Sequence, residues 1–309
     1  MEEREELRSL MQPCRIDSSL AFGGNGFNAM KLSLSVRIAE AFQSKERASM
    51  SLEALAGLAS AAGYDSLCMR ASQVGIQSSP KAVEDAARVL QTHGLSVSMV
   101  TGDFDIVYNN ERGPSCLRNI GPYLQLALAL KAPLIRVALK TEDDVAAAQR
   151  AADQAAAHGL KLVHQCHTQS LFETIDGIER ALQSIDRPNF GLIYEPANLE
   201  LCGQDYGPQT IRRLAPWIFN VYLQNQILKP DGKITLNTWC RGPIRFDLIP
   251  IPTPGGIAFE RVFEGLAAIK YQGAVTVHQA GGAGESPGES AKATAVFLKR
   301  LAVQHGLDD

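Results

Sequence analysis

Short β-favouring runs recur eight times between residues 32 and 278, each followed by a stretch of helical character. They are Leu32 to Arg37, Ser66 to Arg70, Ser96 to Thr101, Leu134 to Ala138, Leu160 to Gln165, Phe190 to Glu195, Phe219 to Gln224 and Ala274 to His278. Between them lie helix-start signals: Ser51 before Leu52-Glu53-Ala54-Leu55, Ser79-Pro80 before Val83 to Leu90, and Thr141-Glu142-Asp143-Asp144 before an alanine-rich run. Gly63, Gly94, Gly159 and Gly273 each stand a few residues ahead of a strand run, where a helix returning to the bottom of a sheet is expected to end. Eight strand-helix units in one chain of 309 residues suit a closed (β/α)8 TIM barrel better than an open doubly wound sheet. No GxGxxG follows the first run, which removes the main support for an open-sheet dinucleotide fold. The expected organisation is a single α/β barrel domain over residues 31–309, preceded by an extension, residues 1–30, that covers the bottom or the edge.

Bulk properties narrow the partners. A formal net charge of -3 offers no long-range attraction to nucleic acid or to an anionic membrane. Cys14, Cys68, Cys116, Cys166, Cys202 and Cys240 are scattered and contain no CxxC pair, so they read as reduced thiols of a cytoplasmic protein. The acidic start, Met1-Glu2-Glu3-Arg4-Glu5-Glu6, is followed by no apolar run long enough for a signal peptide or a membrane span. One long departure from the rhythm, Gln226 to Pro254, carries Trp239, Arg241, Arg245 and five prolines. Part of it is expected to close over the mouth of the barrel.

In such barrels the site is assembled at the C-terminal ends of the strands, and side chains two apart share a face. Those positions are Arg70, Asp103, Arg136, Gln165 with His167, Glu195 with Asn198, Tyr222 with Gln224, and His278. Each also has a plainer reading. His167 can cap the helix that follows, Glu195 can form a structural ion pair with an arginine, and Arg70 and Arg136 can be ion-pair partners rather than clamps for a phosphate or carboxylate. An imidazole closing the apolar run Ala274-Val275-Thr276-Val277 is harder to explain as filler, which favours a functional His278. Alternation turns His164 and Cys166 away from the axis, against a Cys-His nucleophile. No GxSxG, P-loop or HExxH occurs.

Three stretches carry a resemblance to the xylose isomerase-like TIM barrel superfamily, which includes sugar isomerases and epimerases, inosose dehydratases and endonuclease IV. Leu162 to His167 resembles that family's strand ending in Glu-Asn-His or His-Asn-His. Gly191-Leu192-Ile193-Tyr194-Glu195-Pro196-Ala197-Asn198-Leu199 resembles its Asp-Pro-x-Asn-Leu turn. Ile251 to Phe259, followed by Gly273 to His278, resembles the approach to its last strand. The resemblance implies a divalent metal held by an acid on strand five, an acid on strand six, a histidine on strand seven and an acid on strand eight. The corresponding residues are Gln165, Glu195, Tyr222 and His278, so a single carboxylate remains.

A set of Glu195, His278, Gln165 and Gln224 would favour Mn²⁺, Fe²⁺ or Zn²⁺ over Mg²⁺, because imidazole and amide oxygen replace carboxylates. The family's epimerases use the acids on strands five and eight as opposed bases. With Gln165 and His278 in those places, the resemblance implies single-base chemistry: metal-assisted proton abstraction next to a carbonyl of a small sugar or keto sugar, then isomerisation or dehydration. His278 would be the base, His167 a second group, and Glu195 with its metal would stabilise the enediolate. Arg70, Asp103, Arg136, Asn198, Tyr222, Gln224 and Arg241 are the expected substrate contacts. The alternative is a catalytically degenerate barrel that binds a sugar without turning it over. DNA cleavage of the endonuclease IV type wants a multi-metal cluster and a basic face, which six histidines and this net charge do not supply. A homodimer is the expected assembly.

Overall fold

The computed structural model describes residues 30–40, 44–280 and 286–307. Of the N-terminal extension only Met30 falls within that range, so its expected covering role lies outside the described residues. The strands are β1 (Lys31–Ser35), β2 (Ser66–Arg70), β3 (Ser96–Thr101), β4 (Leu134–Val137), β5 (Lys161–Gln165), β6 (Phe190–Tyr194), β7 (Ile218–Leu223), a small sheet of β8 (Gln226–Leu228), β9 (Ile234–Thr238) and β10 (Gly242–Leu248), and β11 (Ala274–Val277). The helices are α1 (Leu52–Ala61), α2 (Pro80–Thr92), α3 (Phe104–Tyr108), α4 (Ser115–Arg118), α5 (Gly121–Ala129), α6 (Val145–Ala156), α7 (Ile175–Ile185), α8 (Pro196–Leu201), α9 (Pro208–Leu214), α10 (Phe259–Ala268) and α11 (Pro287–His305).

Strands β1 to β7 and β11 close a barrel, because β1 pairs in parallel with both β2 and β11. The eight expected runs are these eight strands. The fold is a (β/α)8 TIM barrel. No helix among the described residues is long and apolar enough to cross a membrane.

Local chemistry sets the helix ends. Ser51 and Ser79 accept from the backbone N–H groups of Ala54 and Ala82, and Thr141 forms a capping box with Asp144. Gly63, Gly94 and Gly159 take the left-handed conformation that only glycine adopts at no steric cost. Gly273 does not. The reversal after α10 falls three residues earlier, on Lys270 at φ 52°.

Two apolar layers hold the barrel. The outer faces of the strands pack on the helices through residues such as Leu34, Ile135, Leu162, Leu192 and Val275. Cys68, Met99, Leu134, Val163, Ile193 and Tyr222 form a separate cluster from alternate strand positions, which alternation places inside the barrel. This plug is the floor of whatever lies above it.

The excursion after β7 folds as a three-stranded antiparallel sheet in the order β8-β10-β9. Its tip is tied down at the side: the N–H groups of Trp239 and Cys240 donate to the Glu173 carboxylate at 2.8 and 2.9 Å, and Arg241 Nη1 donates to the Leu201 carbonyl at 3.2 Å. The excursion is thus anchored on the loop after β5 and on the end of α8.

Candidate active site

One register step above the plug, the strands turn polar. Arg70, Thr101, Arg136, Gln165, Glu195, Gln224 and His278 stand two residues beyond interior positions of their strands, and all are buried. Strand β1 contributes through Ser33 and Ser35 and then Arg37, in the 3-10 turn that follows it.

Glu195 is the focus of this ring. It is 0% exposed; its Oε2 accepts from the amide of Gln165 and from Asn198 Nδ2 at 2.7 Å, while its Oε1 has no hydrogen-bond partner. Asn198, one turn into α8, also donates to the Cys166 carbonyl at 2.8 Å, which fixes the amide that orients the carboxylate. Burial pushes the Glu195 carboxyl up to about 7, opposed by Gln165, Arg37, Arg136 and Asn198. A carboxyl there is within reach of both protonation states near neutrality.

The surroundings are cationic. Arg70 is ion-paired: Nη2 lies 3.0 Å from Glu40 Oε2 and Nε donates to Glu40 Oε1 at 3.2 Å, with Ser72 on the same carboxylate. Arg136 is 2% exposed, its Nε has no hydrogen-bond partner, and among the described residues nothing ion-pairs with its guanidinium. Burial, then the charge of Arg70, pull Arg37 down to about 10. Lys45 is pushed down to about 6 by burial and by Arg37, Arg70 and Arg136.

His278 lies inside this arrangement. Arg70 Nη1, which can only donate, sits 3.5 Å from His278 Nε2, so the ring's other nitrogen carries the proton and donates to Ser35 Oγ at 3.2 Å. Burial and the charges of Arg37, Arg70, Arg136 and Lys45 hold the imidazole well below its ordinary range, so it is neutral. Tyr222 lies one layer lower, with its hydroxyl 3.2 Å from Cys68 Sγ.

Other expected site residues make contacts outside the ring. Asp103 caps α3 by accepting from Ile106 N at 2.8 Å and also takes the Tyr123 hydroxyl. Arg241 is in the turn between β9 and β10, where Nη1 donates to the Leu201 carbonyl. His167 is half-buried, with Nδ1 3.0 Å from Asn109 Nδ2 and 2.9 Å from the Thr168 carbonyl, and burial and Arg136 hold it well below its ordinary range. His164 and Cys166 do face outward: His164 bonds the Val137 carbonyl at 3.0 Å and tilts against Phe172, and burial pushes the Cys166 thiol up to about 12. A groove of about 540 Å³ between α2 and α5, lined by Ile76, Val83 and Leu126 among others, lies on the flank and includes none of the ring.

The family described as xylose isomerase-like TIM barrel matches residues 56–301. The chain belongs to this family. No curated protein matches the sequence. Among solved structures, a xylose isomerase domain protein from Planctomyces limnophilus superposes with a TM-score of 0.68 at 16% identity, covering 90% of this chain and 98% of the other. The probable 3-DHS dehydratase AsbF of Bacillus anthracis gives 0.66 at 15% identity over 87% and 99%. A xylose isomerase-like TIM barrel protein from Mycobacterium smegmatis, in complex with magnesium, gives 0.66 at 12% identity over 91% and 99%. At these identities the likeness is one of fold.

The xylose isomerase-like resemblance raised a metal at Glu195, His278, Gln165 and Gln224, and the donors present fit one poorly. Gln165 Nε2 donates to Glu195 and its Oε1 is left without a partner, as is Gln224 Oε1, but both are neutral amide oxygens, and the His278 nitrogen that could ligate faces a guanidinium. Tyr222, in the place of a histidine, is buried below the ring. Arg37 and Arg136 bear on Glu195, the one carboxylate of that set, with positive charge, where the family's set would supply three anions. Among the described residues the only group of three His, Cys, Asp or Glu side chains with close ligand atoms is Glu173, Cys202 and Cys240. There the Glu173 oxygens already accept the N–H groups of Gln169, Trp239 and Cys240.

Arg37, Glu40 and Lys45 were absent from the expected site. The period-two series Ser33, Ser35, Arg37 was the signal that could have found Arg37. Glu40 and Lys45 follow a turn and carry no such pattern.

Proposed function

We propose that the chain is an isomerase- or dehydratase-type enzyme that moves a proton at a carbon next to the carbonyl of a small sugar or keto sugar, with Glu195 as the proton-transfer group. The observation that carries this reading is the free Oε1 of a fully buried carboxyl, held from behind by Gln165 and Asn198. Its ionised form takes the proton from carbon. Arg136 and Arg37 stabilise the enediolate oxygen without a metal in the step. The proton held by Glu195 then returns either to the neighbouring carbon, completing isomerisation, or to a β-hydroxyl that leaves as water.

Unpaired Gln165 Oε1, Gln224 Oε1 and Thr101 Oγ1 supply acceptors for ligand hydroxyls around the same ring. His278 orders Ser35 and Arg70 in this scheme, because both of its nitrogens are engaged. With one available carboxyl, single-base chemistry is favoured over two-base epimerisation.

The test is solvent exchange. Ketoses, keto acids and dehydro-sugar acids are incubated with the protein in D₂O, and loss of the C–H signal is followed by NMR. At least one compound should exchange, and Glu195→Gln should abolish that exchange while leaving the Tm within a few degrees. If nothing exchanges, yet the same compounds raise the Tm, the chain is a sugar-binding barrel that has lost catalysis; replacement of three family acids or ligands by Gln165, Tyr222 and His278 favours that second reading.

A further inference from the structure

We infer that the barrel mouth binds an oxyanion, a carboxylate or a phosphate carried by the ligand, directly on the Arg136 guanidinium and without a divalent metal. The inference concerns the ligand's charge and rests on the proposed function only for the idea that this ligand is also turned over.

An unpaired guanidinium deep in a fold is destabilising, and proteins retain one where something else supplies the countercharge. Arg136 is in that position: it extends from a central strand, is almost fully buried, and its Nε lacks any partner. Among the described residues no carboxylate forms an ion pair with it, and Glu195 acts on it only through space. Glu40 is committed to Arg70 through two contacts, at 3.0 and 3.2 Å, and to Ser72. Glu195 has one oxygen committed to two amides rather than to a guanidinium.

The planar fork of an arginine matches the paired oxygens of a carboxylate or phosphate. The free acceptors Gln165 Oε1 and Gln224 Oε1 then meet hydroxyls of the same molecule. The positive field that would repel a dication at Glu195 is the field that draws an anion.

The full-length protein is titrated by calorimetry and thermal shift with inorganic phosphate in one arm and glycerate in the other, in buffer free of other anions except chloride and with EDTA present. One arm should bind at millimolar concentration or tighter and raise the Tm by a few degrees; which arm does so assigns the anion. Arg136→Met should weaken that binding by about tenfold or more, whereas Arg112→Gln, an exposed arginine on Asp105, should leave it unchanged. In the anion-free buffer Arg136→Met should melt no lower than wild type, because it removes an uncompensated buried charge; a merely structural arginine would give a clear loss. No binding in either arm, equal binding by Arg136→Met, or binding that appears only when EDTA is replaced by Mn²⁺ or Mg²⁺ would each overturn the inference. Anion binding with no solvent exchange on any compound would leave the inference standing and remove the proposed reaction instead.

Discussion

Tyr222 lies flat against His278, with ring centroids 3.8 Å apart and planes 9° from parallel. The stack joins the top of the apolar plug to the polar ring and fixes the imidazole edge-on between Ser35 and Arg70. Protonating that imidazole would place a fourth cation among Arg37, Arg70 and Arg136, which together with burial is why it stays neutral.

Acid sensitivity follows from that geometry. Burial lowers His278 and His167 well below the ordinary histidine range and His164 to about 3. At these three sites the unfolded chain therefore binds more protons than the folded one below pH 6.5, and the stability they contribute is lost as pH falls. Urea unfolding between pH 7 and 5 should show a steady loss, and His278→Gln should flatten it. A stability independent of pH across that interval would remove this account of the histidines.

Glu195 titrates with the opposite sign. Its folded-state value is raised from 4.5 to about 7, so its favourable contribution is complete below pH 4.5 and is lost as pH rises through 7. Glu195→Gln should gain stability relative to wild type on going from acid to pH 8, by an amount on the order of 3 kcal/mol. If Glu195 is the base, kcat/KM should rise with pH to a plateau above about 7. A bell centred well below that value would assign the proton transfer to another group.

Strand-end positions were legible in the sequence because alternation is geometric: once β4 to β7 and β11 are located, Arg136, Gln165, Glu195, Gln224 and His278 must share one layer. The same rule turned His164 and Cys166 outward. It does not decide Asp103, because an aspartate before a helix looks the same whether it caps that helix or faces a ligand, and here it accepts from Ile106 N. It was silent on Glu40, which reaches Arg70 only because the chain folds back after β1. The charge balance of the mouth was hidden for the same reason: pairing Arg70 with Glu40 is what leaves Arg136 unmatched.

The proline-rich approach to β11 is held by one buried side chain. Asn225 Nδ2 donates to the carbonyls of Pro250, Ile251 and Thr253 at 3.1, 3.2 and 2.9 Å, and its Oδ1 accepts from Gln226 N at 3.0 Å and Ile257 N at 2.9 Å. Asn225→Ala leaves buried backbone groups without partners and should cost on the order of 3 kcal/mol. Hydrogen exchange should then quicken at Ile257 while the amides of β4 and β5 are unaffected. Equal protection at Ile257 in the variant would show that packing, not Asn225, holds the loop.

The Glu40–Arg70 pair separates structural charge from ligand-binding charge. Both side chains are fully buried, so removing one partner strands the other, at a cost of about 3–5 kcal/mol. Glu40→Gln should show that loss in urea unfolding, and the double variant Glu40→Gln with Arg70→Met should recover much of it, because no unpaired charge remains. The single variant adds a second unmatched guanidinium beside Arg136, so an added oxyanion should restore more stability to Glu40→Gln than to wild type. If Glu40→Gln is lost to unfolding and the oxyanion restores nothing, Arg70 and Arg136 do not share one electrostatic site.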